Sequence, residues 1–220
     1  MGSGNISVGN QGARNMAAAA AFEGFAMTRM VGVLLWSAGI AGWYIIRYPF
    51  ERRAKKIGVA RSIFDRRESS ILAFAFVGLF LIPGLYAVTG FPAAAERPLV
   101  PVVGWLGLVP QATALWLFRR SHLDLGRNWS ISLEIRDRHA LVETGVYRLI
   151  RHPMYSSFFL LGLAQLLLLP NWVAGPSGIV GAAVLYACRV GREEQMMLER
   201  FGDHYRDYMA HTKQLIPWII

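Results

Sequence analysis

The sequence predicts an all-α integral membrane protein with about five transmembrane helices, the last two forming a C-terminal helical hairpin. Three observations carry this. Only 17% of the 220 residues are charged, against 54% hydrophobic, where soluble domains run nearer a quarter charged. The charges are also segregated, because residues 30–46, 69–95, 98–118 and 154–188 contain no Asp, Glu, Lys or Arg. Finally, most of the 23 Lys and Arg fall in segments that would lie on one side of a membrane.

The elements follow in chain order. Residues 1–24 read as a flexible tail, Gly-, Ser- and Asn-rich over its first part, with no cleavable signal peptide evident. A helix needs about 20 mostly apolar residues to cross a hydrocarbon core ~30 Å thick. The first three uncharged stretches meet this with help from their flanks, placing helices near 25–47, 69–90 and 99–119. Their glycines suit close helix packing in lipid, and Pro83 and Pro110 should kink the second and third. The fourth stretch is interrupted by Pro170, Asn171, Gly175, Pro176 and Gly178, so it reads as two arms, near 154–170 and 178–199, with a turn near 170–177. A further short helix is expected over about 203–212, after Gly202 as a C-cap.

Charge sets the expected orientation. The loop 47–67 carries eight Lys or Arg, the segment 119–151 seven Arg, and the tail from 189 five more basic residues. Only Arg14, Arg29 and Arg97 fall on the other side. The positive-inside rule then puts the N-terminus outside and the C-terminus in the cytoplasm. The same rule accounts for the net charge of +9 without invoking nucleic acid, and a basic face toward anionic lipid headgroups follows. Cys188, the one cysteine, excludes an internal disulfide and sits in an apolar run where packing is its ordinary role. No metal-binding constellation is expected.

The chain divides at about residue 120. Residues 25–119 form a three-helix transmembrane region with little unusual polar chemistry, whereas residues 120–220 hold the adjacent acids and the Trp, Tyr and Arg clusters. Two constellations stand out there. One is Gly145-Val146-Tyr147 followed by Arg151-His152-Pro153-Met154-Tyr155. The other is Glu193-Glu194 followed by Phe201-Gly202, Tyr205 and Tyr208. Pro153 suits the first position of a helix, which places Arg151 and His152 at an N-terminus where unpaired N–H groups and the helix dipole favour an anion. Glu193 and Glu194 favour a cation. A hairpin would bring the two sets together, and a zwitterion with carboxylate, ammonium and a second positive centre would match them. Taken singly, each residue has an ordinary explanation as a headgroup anchor, a solvated face or an aromatic belt residue; the functional reading rests on their co-location.

The stretch Leu141-Val142-Glu143-Thr144-Gly145-Val146-Tyr147 through Arg151-His152-Pro153-Met154-Tyr155, with Glu193-Glu194 to Phe201-Gly202, Tyr205 and Tyr208, resembles the isoprenylcysteine carboxyl methyltransferase family. Related phospholipid methyltransferases share a similar C-terminal half, and Gly126-Arg127-Asn128-Trp129-Ser130 resembles the bacterial branch. The resemblance covers roughly residues 120–217. It implies a multi-pass methyltransferase of a bacterial cell membrane, using S-adenosyl-L-methionine from the cytoplasm and a lipophilic or lipid-attached acceptor from the bilayer. Carried over by position, His139, Leu141, Val142, Tyr147, His152 and Tyr155 would line the cofactor, and Glu193 and Glu194 would bind its methionine portion. Arg151 would steady the pocket, and Arg189 and Arg192 would face the acceptor, so these three arginines are the catalytic candidates. Two positions depart from the family pattern: Ser157 stands where Gly is common, and Gln214 where a basic residue is common.

The acceptor can be a carboxylate, a thiol or a lipid amine on this reading. A sterol-type reductase using a nicotinamide cofactor also carries an Arg-His-Pro motif, but typically with Asn at the position of Met154 and without the paired Glu. A scaffold or transporter is the other alternative. Transport ordinarily needs polar groups at mid-membrane depth, and here the apolar runs are clean except for Gln111 and Gln165.

Overall fold

The computed structural model describes residues 27–54, 59–62, 65–129, 134–136 and 140–219. The expected tail over residues 1–24 and the candidate His139 lie outside these. Helices α1 (Arg29–Ala54), α2 (Arg66–Thr89) and α3 (Pro101–Leu125) are followed by α4 (Pro153–Leu168), α5 (Ala174–Phe201) and α6 (Asp203–His211). A two-stranded antiparallel ribbon, β1 (Val59–Ser62) and β2 (Glu134–Arg136), ties the α1–α2 connection to the α3–α4 connection. The all-helical membrane class read from the sequence holds, with this ribbon as an addition.

Helices α1, α2 and α3 are long and apolar enough to cross a membrane, with 26, 24 and 25 residues. Helix α4 is apolar but has 16 residues, about 24 Å at ~1.5 Å per residue. Helix α5 is 28 residues long, and charges fill it from Arg189 onward. Side chains such as Leu34, Ile45, Val88 and Val102 stand exposed on the first three helices, as a lipid-facing surface requires.

Both kink-prone prolines leave a mark. Pro83 lacks the N–H that would bond four residues back, and the turn before it, Val77–Leu81, widens to a π-helix in which the Ile82 N–H reaches Val77 O. Ahead of Pro110, helix α3 is interrupted at Gly107, whose N–H turns back to Gly104 O at 3.0 Å.

Small residues let the helices touch, as close packing in lipid requires. A Cβ at Gly162 of α4 would lie 2.6 Å from Ile179 N of α5. One at Gly78 of α2 would collide with Ser177 O of α5, and one at Gly32 of α1 with Leu168 O of α4. The two glutamines in the apolar runs reinforce these seams. Gln165 Nε2 donates to Ala174 O at 2.7 Å and Ser177 Oγ at 3.0 Å, and Gln111 Nε2 donates to Leu35 O at 2.8 Å. These bonds explain how polar groups reside in apolar runs without marking a transport path.

The contacts Tyr155–Glu193, Gly162–Ile179 and Gln165–Ala174 show α4 and α5 passing each other in opposite directions. Helix α5 starts at Ala174, earlier than the 178 expected from sequence. The reason is Asn171, whose Oδ1 accepts from Val173 N and Ala174 N at 2.9 Å each, while Pro176 falls in the first turn, where a missing N–H is harmless. Arg97 donates to Leu166 O and so satisfies a carbonyl at the end of α4. At the opposite end of the bundle lie the basic loops and the site.

Candidate functional site

The entry to α4 is held by main-chain pairing with the C-terminal strap. Arg151 N donates to Lys213 O at 2.7 Å and His152 N to Gln214 O at 2.9 Å, beside a parallel bridge between Ile150 and Lys213. Pro153 opens the helix. Upstream, Gly145 sits at φ +62°, where a side chain would be strained and would collide with the Asp124 carboxylate. That carboxylate accepts from Val146 N at 2.9 Å, which seats the Gly145–Arg148 turn against α3.

Arg151 and Glu194 form a clamp at the heart of the site. Arg151 Nε and Nη2 approach Glu194 Oε1 at 3.0 and 2.9 Å, and Arg151 Nη1 donates to Met209 O at 3.3 Å and to Thr212 O. His152 Nε2 contacts the same Glu194 oxygen at 3.0 Å, and Gln214 Nε2 donates to both carboxylate oxygens at 3.1 Å. Gln214 in turn accepts from Tyr186 Oη at 2.5 Å. Burial alone would raise the Glu194 pKa, but hydrogen bonds from His152 and Gln214, with the charges of His152 and Arg151, outweigh it and hold the group to about 2. The anion-holding role expected of Arg151 is therefore taken up inside the protein.

Glu193 is disposed differently. Its Oε2 accepts from Tyr155 Oη at 2.9 Å and its Oε1 lies 3.9 Å from His152 Nδ1, while the side chain remains 35% exposed. It faces a cavity of about 610 Å³, within the size range of small-molecule sites. The cavity brings together the expected Leu141, Val142, Tyr147, Arg151, His152, Tyr155, Arg189 and Glu193. Glu194 is not on its wall but behind it, in the clamp. Arg192 is also off the wall, paired with Asp65 at 3.0 Å. The Asp65 carboxylate caps α2 through the Glu68 N–H, and this bond together with Arg192 lowers its pKa.

The sequence reading missed the wall supplied by the first two helices. Trp43 and Arg47 come from α1, and Leu72, Ala75, Phe76 and Phe80 come from α2. Behind them Glu68, fully buried, pairs with Arg189 at 3.0 Å. The available signal was Glu68 itself, an acid standing at the head of the uncharged run 69–95. Trp129 Nε1 and Arg189 Nε are buried without a hydrogen-bond partner among the described residues, and both side chains line the cavity. Tyr205 and Tyr208 close the cavity from α6, with Tyr208 Oη donating to Tyr147 O at 2.5 Å. Burial raises the pKa of both, so they stay protonated donors. The departure at Ser157 takes no room from the cavity: it is fully buried and its hydroxyl donates to Met154 O at 2.6 Å.

Chemically, the cavity offers a carboxylate with a tyrosine hydroxyl, an arginine held by a buried acid and an apolar wall. Among the described residues no group of three or more His, Cys, Asp or Glu is placed to hold a metal.

Residues 106–199 match the model of the isoprenylcysteine carboxyl methyltransferase family. A probable protein-S-isoprenylcysteine O-methyltransferase of Oryza sativa subsp. indica is 27% identical over 119 residues, which cover 53% of this chain and 62% of that protein. The protein-S-isoprenylcysteine O-methyltransferase of Tribolium castaneum is 31% identical over 116 residues, 52% of this chain and 39% of the relative. The chain thus spans less than two thirds of the length of these relatives. Among solved structures, the eukaryotic intramembrane Ras methyltransferase ICMT superposes with a TM-score of 0.47 at 24% identity, over 71% of this chain and 55% of that one. The family model and these relatives match the part of the chain that carries the motifs, whereas the expected bacterial affinity is not borne out by them.

Proposed function

We propose that this chain, which carries the isoprenylcysteine carboxyl methyltransferase pattern over residues 106–199, is an integral membrane methyltransferase that binds S-adenosyl-L-methionine in the 610 Å³ cavity and methylates a lipophilic acceptor. One observation carries the reading. A single cavity joins an available carboxylate at Glu193, the Arg189 guanidinium held by buried Glu68, and an apolar wall from α2.

The donor set fits the cofactor. Glu193 and Tyr155 present oxygens to an ammonium group, and Leu141 and Val142 present an apolar surface to a base. When bound, the cofactor would supply a methyl group on a sulfonium, the sulfur leaving as a neutral thioether as the acceptor atom takes the methyl carbon. What the chain contributes is alignment, exclusion of water and charge placement. Arg189, steadied by Glu68, orients an acceptor carboxylate; that group is already ionised and needs no general base. A thiol or lipid amine would need deprotonation, with His152 or Glu193 nearest to serve. The clamp of Arg151, His152, Gln214 and Glu194 fixes the shape of the pocket.

The topology proposed from the charges is five spans with the N-terminus outside and the site cytoplasmic. The cofactor then comes from the cytoplasm and the acceptor from the bilayer. The catalytic region over 120–220 is completed by side chains of α1 and α2. The test is methyl transfer from labelled S-adenosyl-L-methionine to an S-prenylated cysteine with a free carboxylate, assayed in bilayers. Label appearing as a base-labile ester supports a carboxylate acceptor. Cofactor binding without any ester would move the proposal to a thiol or amine acceptor.

A further inference from the structure

A second cavity of about 520 Å³ lies on the other side of α4, and its lining is almost wholly apolar. At about 100° per residue, Tyr155 and Phe158 face the first cavity, whereas Ser156, Phe159, Leu160 and Leu163 face the second. The remaining walls are α3, the segment 146–150 and the strap 215–217. The rim stands open at Trp116, Leu149 and Ile216, each about half exposed.

We propose that this groove is a binding site for an anionic glycerophospholipid of the leaflet at the basic end, with an acyl chain in the groove and the phosphate at its mouth. Charge complementarity selects this occupant. Three exposed cations adjoin lining residues. Arg119 follows Trp116 by three positions on α3 and so shares its face. Arg148 precedes Leu149, and Lys213 is bridged to Ile150 and precedes Leu215 by two. An apolar slot whose lining residues adjoin exposed cations matches an anionic lipid better than a zwitterionic one.

The site has a structural link to the first cavity. Ser156 Oγ donates to Leu215 O at 2.7 Å, and the same strap carries Gln214 onto Glu194. A chain lying under Leu215 and Ile216 therefore seats the strap that completes the clamp.

The test measures lipid retention, which needs neither methyl donor nor acceptor and so stands apart from the proposed activity. The full chain is equilibrated in bilayers of equal phosphatidylcholine and phosphatidylglycerol, extracted in mild detergent, and its retained lipid read by native mass spectrometry. Wild type retains phosphatidylglycerol in preference to phosphatidylcholine. The surface variant Arg119→Gln/Arg148→Gln/Lys213→Gln loses that preference, and Leu160→Trp, which fills the groove, loses retained lipid of both kinds. Equal retention of the two lipids by wild type, or an unchanged preference in the surface variant, overturns the proposal.

Discussion

Arg151 and Glu194, 43 positions apart in sequence, meet through two guanidinium nitrogens at 2.9 and 3.0 Å, and both side chains are nearly buried. This contact fastens the start of α4 to the far half of α5, and Gln214 adds the C-terminal strap to the same carboxylate. Removing one partner of a buried pair leaves the other charge uncompensated, at a cost of about 3 kcal/mol or more. Glu194→Gln should therefore lower the melting temperature in detergent, and cofactor affinity should fall with it.

Glu193→Gln should behave differently. Its carboxylate is partly exposed and faces the cavity, so thermal stability should change little. Loss of one charge-assisted contact is worth about 1.5–3 kcal/mol, roughly ten- to a hundredfold in cofactor affinity. Isothermal titration alongside a melting curve separates the two variants.

Stability should depend on pH through Glu194. Its folded pKa is about 2, depressed from an ordinary 4.5. A depressed carboxylate contributes stability that is fully present above its unfolded pKa and is lost as pH falls through the folded value. The melting temperature of wild type should fall across that window. Glu194→Gln should lack this component, which a comparison of the two melting curves at matched pH would show.

Arg189 is the residue proposed to meet the acceptor, and Glu68 holds it from behind. Arg189→Lys keeps the charge but loses the fork that matches a carboxylate. The KM for a carboxylate acceptor should rise about tenfold or more, while cofactor affinity stays near wild type. A fall in cofactor affinity of the same size would place Arg189 on the donor instead.

Packing between α4 and α5 rests on Gly162, whose added Cβ would lie 2.6 Å from Ile179 N. Backbone cannot move aside as a flexible side chain can. Gly162→Ala should destabilise by about 1–3 kcal/mol, readable as a lowered melting temperature with the cofactor contacts unaltered in sequence.

Several parts of this arrangement were legible because they are local. The uncharged runs marked the apolar helices, Pro153 marked the start of α4, and Gly202 marked the break between α5 and α6. The motif residues Tyr147, His152, Tyr155 and Glu193 do share one cavity. What a local pattern does not carry is which helix lies beside which. For that reason Trp43, Arg47 and the α2 wall went unread, and so did the pairing of Glu68 with Arg189. Nor does spacing tell a free charge from a satisfied one. Arg151 looked available to an anion until the strap folded Gln214 and two carbonyls around its clamp. Asn171 hid the true start of α5, because the capping side chain sits among residues that otherwise read only as a turn.

The most direct test of the account is a titration of the purified full chain in detergent with S-adenosyl-L-methionine, run in parallel with a nicotinamide dinucleotide. The account predicts saturable binding of S-adenosyl-L-methionine at one site per chain, weakened by Glu193→Gln, and no saturable binding of the nicotinamide cofactor. Binding of the nicotinamide cofactor without any affinity for S-adenosyl-L-methionine would contradict it.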